Sequence, residues 1–177
     1  MGSVAIRSGW RSPVGLWLTA VAMVVAGLAA APVTAQVQSQ ERAEYAPGSL
    51  RFTIPDKWSV ETGKQKLTLV APNEDGFVQF TVLQPGNDAS LRAQVAQTLT
   101  TYLSDTVLAD PGDTTTISGM QGFRVSGTGS SDATVVQFVA VTVTAAKPVL
   151  ILAYASEDSF VAHSAVFETL IKSLKRR

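Results

Sequence analysis

The sequence predicts an α+β domain: an α/β/α sandwich with a mostly antiparallel central sheet and two main helices. The first observation is a pair of strands, 133–145 and 148–155, that are rich in β-branched residues and apolar on both faces, as in the middle of a covered sheet. The second is the tight reversal at Lys147-Pro148, which makes these strands antiparallel. The third is that only two segments have the apolar spacing of a helix, so two helices are expected to cover the sheet.

The first half of the domain is predicted as several strands followed by one helix. A strand over 50–54 is followed by WSVETG, and then KLTLVA and GFVQFTVLQ form a hairpin around the turn-forming residues 72–76. Helix one is expected over 89–104. Asn87 or Asp88 is well placed to cap it, because both side chains accept hydrogen bonds from the free amides of a first turn.

The second half repeats this plan. TTTISG and GFRVSGTG are predicted as a hairpin that turns at Met120-Gln121, with a glycine on either side. Helix two is expected to begin near Glu157 or Asp158, since acidic side chains stabilise a helix N-terminus. Its buried stripe is predicted to consist of Phe160, Phe167, Leu170, Ile171 and Leu174.

Residues 1–35 are predicted to be a secretory signal peptide. Arg7 and Arg11 precede an apolar stretch, and small residues lead to a cleavage site between Ala35 and Gln36. Cleavage would leave no stable membrane anchor, and the protein would be periplasmic or secreted. The alternative is an inner-membrane anchor formed by an uncleaved leader, because the apolar stretch is just long enough to span a bilayer.

The rest of the chain is predicted to be a flexible tether, 36–48, and a single domain, 49–177. The tether has few apolar residues and ends in Pro-Gly. Without the leader the chain has 12 Lys and Arg residues against 14 acidic ones, a net charge of about −2, so nucleic-acid binding is not expected. The sequence has no cysteine, so an exported domain would depend on packing rather than on disulfides.

Three segments, RFTIPDKW, ISGMQGFRVSG and FETLIKSL, occur in an order and spacing that resemble the PsbP-like fold superfamily. The resemblance covers about residues 49–175. This superfamily includes photosystem II extrinsic subunits and small exported bacterial proteins. The resemblance implies a domain that binds partners or apolar ligands, and it implies no shared catalytic residues.

The residues themselves predict no enzyme, metal site or cofactor. His163 is the only histidine, and the sequence has no G-x-S-x-G nucleophile motif. One histidine, no cysteine and no regularly spaced carboxylates are too few ligands for a zinc or EF-hand site. The glycines lie among predicted strands rather than before a helix, so a nucleotide cofactor is not expected.

Trp58 and His163 are the two weak binding candidates. Trp58 follows the corner at Pro55, where a strand ends because proline lacks an amide hydrogen, and it is expected to seal one end of the core. His163 lies within the apolar stripe of helix two. It is expected to be a largely buried packing residue whose ring bonds a neighbouring carbonyl or hydroxyl.

Two functions remain open. The favoured one is a non-catalytic periplasmic accessory protein that binds another envelope protein through a sheet edge or a loop. The alternative is a carrier or binder of a hydrophobic small ligand such as a lipid. A continuous apolar cavity of several hundred cubic ångströms would favour the carrier, whereas a filled core with an exposed apolar patch would favour the protein partner.

Overall fold

The computed structural model describes residues 42–177, which form two α-helices, one short 3-10 helix (Ala46–Gly48) and eleven strands. The predicted signal peptide, with its cleavage site at Ala35 and Gln36, lies outside the described residues. The helices are α1 (Asp88–Tyr102) and α2 (Glu157–Ser173). The strands are β1 (Arg42–Tyr45), β2 (Leu50–Thr53), β3 (Ser59–Thr62), β4 (Lys66–Val70), β5 (Gly76–Val82), β6 (Ser104–Asp110), β7 (Thr114–Ile117), β8 (Met120–Ser131), β9 (Thr134–Thr144), β10 (Pro148–Ser156) and β11 (Lys175–Arg176).

Eight of the strands form one large antiparallel sheet. Its order is β3-β4-β5-β10-β9-β8-β6, and β7 pairs with β8 beside this path. The long strands β9 and β10 lie at the centre, where Val149 pairs with Val143 and Ala155 pairs with Gln137. Their apolar character on both faces is therefore explained by their position, and the predicted α+β class, with a mostly antiparallel sheet and two helices, is confirmed.

Each face of the large sheet has its own apolar core. On one face, called the α2 face, α2 packs together with a small sheet of order β1-β2-β11. Large side chains from both sheets and from the helix meet there, including Phe52, Phe80, Val141, Ile151 and Phe167. On the opposite face, called the α1 face, the core contains α1 and the strands from β8 to β10, including Val95, Leu99, Phe123, Phe138 and Leu152.

Helix α1 covers only part of its face. Its buried residues Val95 and Leu99 pack on the half of the sheet that contains β8, β9 and β10. No residue of β3 or β4 belongs to this core. The α1-face side chains of β3 and β4 therefore border an open region of the sheet, and this region contains the cleft described below.

The predicted tether is wrong from Arg42 onward. Arg42–Tyr45 forms β1, which pairs with β2 from Arg42↔Thr53 to Tyr45↔Leu50. The Tyr45 side chain is buried in the α2-face core, and its hydroxyl donates a hydrogen bond to the backbone carbonyl of Gln65. Pairing with β2 and burial of one tyrosine therefore order a segment whose composition is polar.

Local details of the other elements agree in part with the predictions. Asn87 caps α1, since its Oδ1 accepts a hydrogen bond of 2.9 Å from the amide of Ser90. The turn between β7 and β8 lies at Ser118-Gly119 rather than at Met120-Gln121. Both turn residues have positive φ, 51° and 76°, as tight hairpin turns require, and Met120 is instead a buried strand residue.

Candidate functional site

The two binding candidates, Trp58 and His163, lie in contact on the α2 face. Trp58 closes the turn that begins at Pro55, with its amide 3.2 Å from the Pro55 carbonyl oxygen. Its ring meets the His163 ring edge to face, with 5.4 Å between centroids and an interplanar angle of 78°. It meets the Phe167 ring of α2 in the same way at 6.0 Å. Trp58 thus packs between the strand corner and α2, as expected for a core residue.

The hydrogen-bond partner of His163 is a carboxylate, which corrects the expected carbonyl or hydroxyl. His163 Nε2 lies 2.9 Å from Oδ1 of Asp75, in the turn between β4 and β5. The hydrogen bond from His163 is the main reason why the pKa of Asp75 lies below its usual value. The side chains of His163 and Asp75 are 17% and 35% exposed, so the pair lies at the border of the core. We call Trp58, Asp75, His163 and Phe167 the histidine cluster.

The histidine cluster lacks the arrangement of a nucleophilic site. In a catalytic triad the imidazole bonds the nucleophile through one nitrogen and the carboxylate through the other. Within residues 42–177 the ring is hydrogen-bonded to Asp75 alone. The nearby Ser159 side chain hydrogen-bonds to the Asp75 carboxylate rather than to the ring, and it also lowers the pKa of Asp75. A Cβ atom at Gly76 would lie only 2.9 Å from His163 Cδ2, so the backbone packs directly against the ring. The geometry is that of a packed and anchored histidine.

A cleft of about 550 Å³ opens on the α1 face, where α1 leaves β3, β4 and β5 uncovered. Its floor is formed by Thr68, Val70, Phe77, Gln79 and Tyr154, which belong to β4, β5 and β10. Its rim includes two lysines and two glutamates, Lys57, Lys66, Glu61 and Glu74. The size is typical of a ligand-binding cleft, although this lining is mainly polar.

Gln79 has the most unusual environment in the cleft. It is only 5% exposed, and its Nε2 donates a hydrogen bond of 3.2 Å to the Tyr154 hydroxyl. Its Oε1 is buried and has no hydrogen-bond partner in the part of the chain that the structure describes. Phe77 stacks on Tyr154 with 5.3 Å between ring centroids, and burial raises the pKa of the Tyr154 phenol, which therefore keeps its proton at neutral pH.

Sequence reasoning missed the cleft. Gln79 occurs in GFVQFTV, where alternation predicts the face of the strand on which it lies but not its burial. The one available signal was a pair of polar residues, Thr68 and Gln79, inside two strongly apolar strands. These residues are partners in the register of β4 and β5, so they lie side by side on the floor.

Other kinds of site have less support within the described residues. Residues 42–177 contain no group of three or more His, Cys, Asp or Glu side chains that is suited to a metal ion. No helix in this range is both long enough and apolar enough to cross a membrane. Its exposed large apolar side chains belong to four different elements and are Val60, Val107, Leu108, Val135 and Val161.

Comparison with known proteins gives a match in structure only. No family model and no curated protein matches the sequence. The solution structure of cyanobacterial PsbP (CyanoP) from Synechocystis sp. PCC 6803 is similar, with a TM-score of 0.60 over 77% of this chain and 92% of that chain. The chain has the PsbP-like fold. The sequences are 13% identical, so the similarity is one of fold.

A second similar structure is LpqN, which is involved in cell envelope biogenesis of Mycobacterium tuberculosis. Its TM-score is 0.47 and its identity 13%, over 79% of this chain and 86% of that chain. The similarity to cyanobacterial PsbP confirms the PsbP-like fold inferred from the three sequence segments. In this chain the fold leaves one half of the α1 face open, and that half contains the cleft.

Proposed function

We propose that this protein is a non-catalytic accessory protein of the cell envelope and binds another envelope component through the cleft on the α1 face. The buried Gln79 Oε1, which lacks a partner within residues 42–177, carries the proposal. Folded proteins pair nearly all their buried polar groups, and an unpaired one costs about 1–3 kcal/mol. A ligand that donates a hydrogen bond at the floor of an open cleft would remove this cost.

A non-catalytic role is supported by the histidine cluster. His163 is the one histidine of the sequence, and its Nε2 is bonded to Asp75 at 2.9 Å. General base catalysis needs a base within hydrogen-bond reach of the group it deprotonates. The floor of the cleft lies on the α1 face, opposite the α2 helix that holds this ring, so the ring is not positioned to act on a ligand there.

The nature of the cleft favours a polar partner over a lipid. A carrier of a hydrophobic ligand needs a concave site that is mainly apolar. This cleft combines Thr68, Gln79 and the Tyr154 hydroxyl with a charged rim, and each sheet face has a core of closely packed side chains. Binding of another envelope component is therefore the better supported of the two functions.

The proposed location follows from the leader. Cleavage between Ala35 and Gln36 would release the domain into the periplasm or the medium. The absence of cysteine from the sequence is compatible with an oxidising compartment, because no thiol is present to form incorrect disulfides.

The test is photocrosslinking in the native cells. A photoreactive amino acid is introduced at Ser59 or at Glu61, which both border the cleft, and as a control at Thr169 on the exposed side of α2. We expect the same adduct from both cleft positions and none from Thr169. Equal adducts from all three positions, or none from the cleft, would refute the proposed site.

A further inference from the structure

We infer that the ligand of the cleft is an extended peptide segment of the partner, bound through its backbone to Gln79 and Tyr154. This inference rests on the proposed function and adds the chemical class of the ligand. It follows from the hydrogen-bonding groups at the floor, the charges of the rim and the extension of the cleft to the edge of the sheet.

The floor presents one acceptor and one donor side by side. Gln79 Nε2 donates to the Tyr154 hydroxyl at 3.2 Å. Within residues 42–177 this leaves the buried Gln79 Oε1 as an acceptor without a donor and the phenol proton as a donor without an acceptor. If the amide is turned around, the phenol donates to Oε1, so Nε2 becomes the free donor and the phenol oxygen the free acceptor. Either orientation offers a matched pair to a ligand.

A residue in an extended backbone presents the complementary pair. In an antiparallel ladder, one residue directs its N–H and its C=O to the same neighbour and exchanges both hydrogen bonds with it. An extended peptide above the floor could therefore donate its N–H to Gln79 Oε1 and accept from the Tyr154 hydroxyl through the carbonyl of the same residue. A purely apolar ligand would leave the buried amide oxygen unpaired.

The charges of the rim favour a neutral backbone over a charged ligand. The rim has two lysines, Lys57 and Lys66, and two glutamates, Glu61 and Glu74. Lys66 also lies near the end of α1, with its Nζ 4.9 Å from the centre of the Tyr102 ring. Because the rim charges are balanced, a phosphate or another strong anion gains little there, whereas side chains of either sign on a peptide find a partner.

The cleft extends from the central strand β10 to the edge of the sheet, where a chain can enter and leave. β3 is the terminal strand of the large sheet, and all four of its residues are exposed. Ser59 and Glu61 of this strand line the cleft. A glycan hydroxyl could hydrogen-bond to the same two floor groups. The rings of Phe77 and Tyr154, however, stack on each other, so part of their flat surface is covered and cannot contact a sugar ring.

The experiment selects ligands from a displayed library of random heptapeptides. Selection uses the wild-type domain, and binding is then titrated with Gln79→Leu, which removes the amide, and with Tyr154→Phe, which removes the hydroxyl. Thr142→Val is the matched control. Its buried Oγ1 is likewise unpaired among the described residues, but Thr142 does not line the cleft.

We expect the selected peptides to bind wild type and Thr142→Val equally and each cleft variant about 10-fold more weakly, since loss of one such hydrogen bond costs about 1.4 kcal/mol. No enriched peptide, or equal binding to Gln79→Leu, overturns the inference. If the domain binds immobilised glycans and Gln79→Leu loses this binding, the ligand is a glycan and the peptide inference is overturned.

The crosslinking experiment separates this inference from the proposed function. If a partner is crosslinked at Ser59 and Glu61 but the yield is unchanged by Gln79→Leu, the proposed function stands and the peptide inference fails. If no cleft adduct forms and no peptide is enriched, both fail.

Discussion

Replacing Gln79 by leucine should leave the stability of the protein nearly unchanged, although Gln79 is a buried residue of the hairpin formed by β4 and β5. The variant removes an amide oxygen that is unpaired within residues 42–177. This should stabilise the folded state by about 1–3 kcal/mol, the usual cost of a buried unpaired group. It also leaves the buried Tyr154 hydroxyl without its 3.2 Å bond to Gln79, which costs a similar amount, about 1–3 kcal/mol. The two terms nearly offset each other, so the free energy of unfolding should stay within about 2 kcal/mol of that of wild type.

The control is Phe80→Ala, at the next position of the same strand. Phe80 is fully buried on the α2 face, where its ring stacks on Phe52 at 4.6 Å between centroids. Its truncation should lower the free energy of unfolding by about 3–5 kcal/mol. Both variants are measured by urea denaturation at pH 7 with the slope of the transition compared, because a changed slope would indicate a change in the unfolded state.

A loss of more than about 2 kcal/mol in Gln79→Leu would refute this reasoning, because it exceeds the cost of one neutral hydrogen bond. It would mean that the amide is fully satisfied in solution and needs no ligand at this position. A level or raised stability together with lost binding would mark Gln79 as a residue retained for function.

The remaining predictions concern the histidine cluster and the leader. Trp58→Ala should cost about 3–5 kcal/mol in a denaturant melt, and a loss below about 1 kcal/mol with lost partner binding would make it an interaction residue. His163→Leu should melt with a stability within about 1.5 kcal/mol of wild type and should complement a deletion strain, because Asp75 is partly exposed and water can replace its partner; a folded variant that fails to complement would argue for a functional histidine. The pKa of Asp75 is lowered in the folded protein, so its contribution to stability is complete above the unfolded value of about 3.9 and is lost as the pH falls through the folded value. Asp75→Asn should therefore make the urea midpoint depend less on pH between pH 5 and pH 2. If the midpoint of the variant depends on pH as strongly as that of wild type, the bond to His163 does not stabilise the fold. Intact mass should give a mature chain that starts at Gln36, and a membrane-bound product that starts at Met1 would identify the leader as an anchor.

The elements that were predicted correctly are those whose sequence pattern is local. The strands over 133–145 and 148–155 were recognisable because both faces of a central strand are apolar. The start of α1 was recognisable because Asn87 caps the helix through contacts within one turn. The hairpin of β4 and β5 was marked by a dense run of turn formers.

The elements that were missed depend on distant partners. β1 was interpreted as a tether because few of its residues are apolar, and only its pairing with β2 and the burial of Tyr45 order it. β6 was not predicted, because its register with β8 shifts at two places and all but one of its residues are exposed, so it has no clear alternation. The turn at Ser118 was misplaced by two residues, since several nearby residues suit a turn.

The candidate site residues show the same contrast between local patterns and distant contacts. Trp58 and His163 were singled out, but their contact was not foreseeable, because it joins a strand corner to α2. Asp75 was placed only among the turn-forming residues 72–76, and its bond to His163 spans 88 positions of the sequence. Burial of Gln79 depends on strands from both halves of the chain, so no local pattern could reveal it.

The order of strands in the large sheet has a consequence for how the chain folds. β3, β4 and β5 are neighbours in both sequence and space, and so are β8, β9 and β10. The two runs join only where β5 pairs with β10, from Val82↔Val149 to Gly76↔Ala155, and these partners are far apart in the sequence. Closing so long a loop costs entropy before any contact offsets it. We therefore expect this pairing to form late, and α2, which follows β10 and packs on strands of both runs, to complete the α2-face core only afterwards.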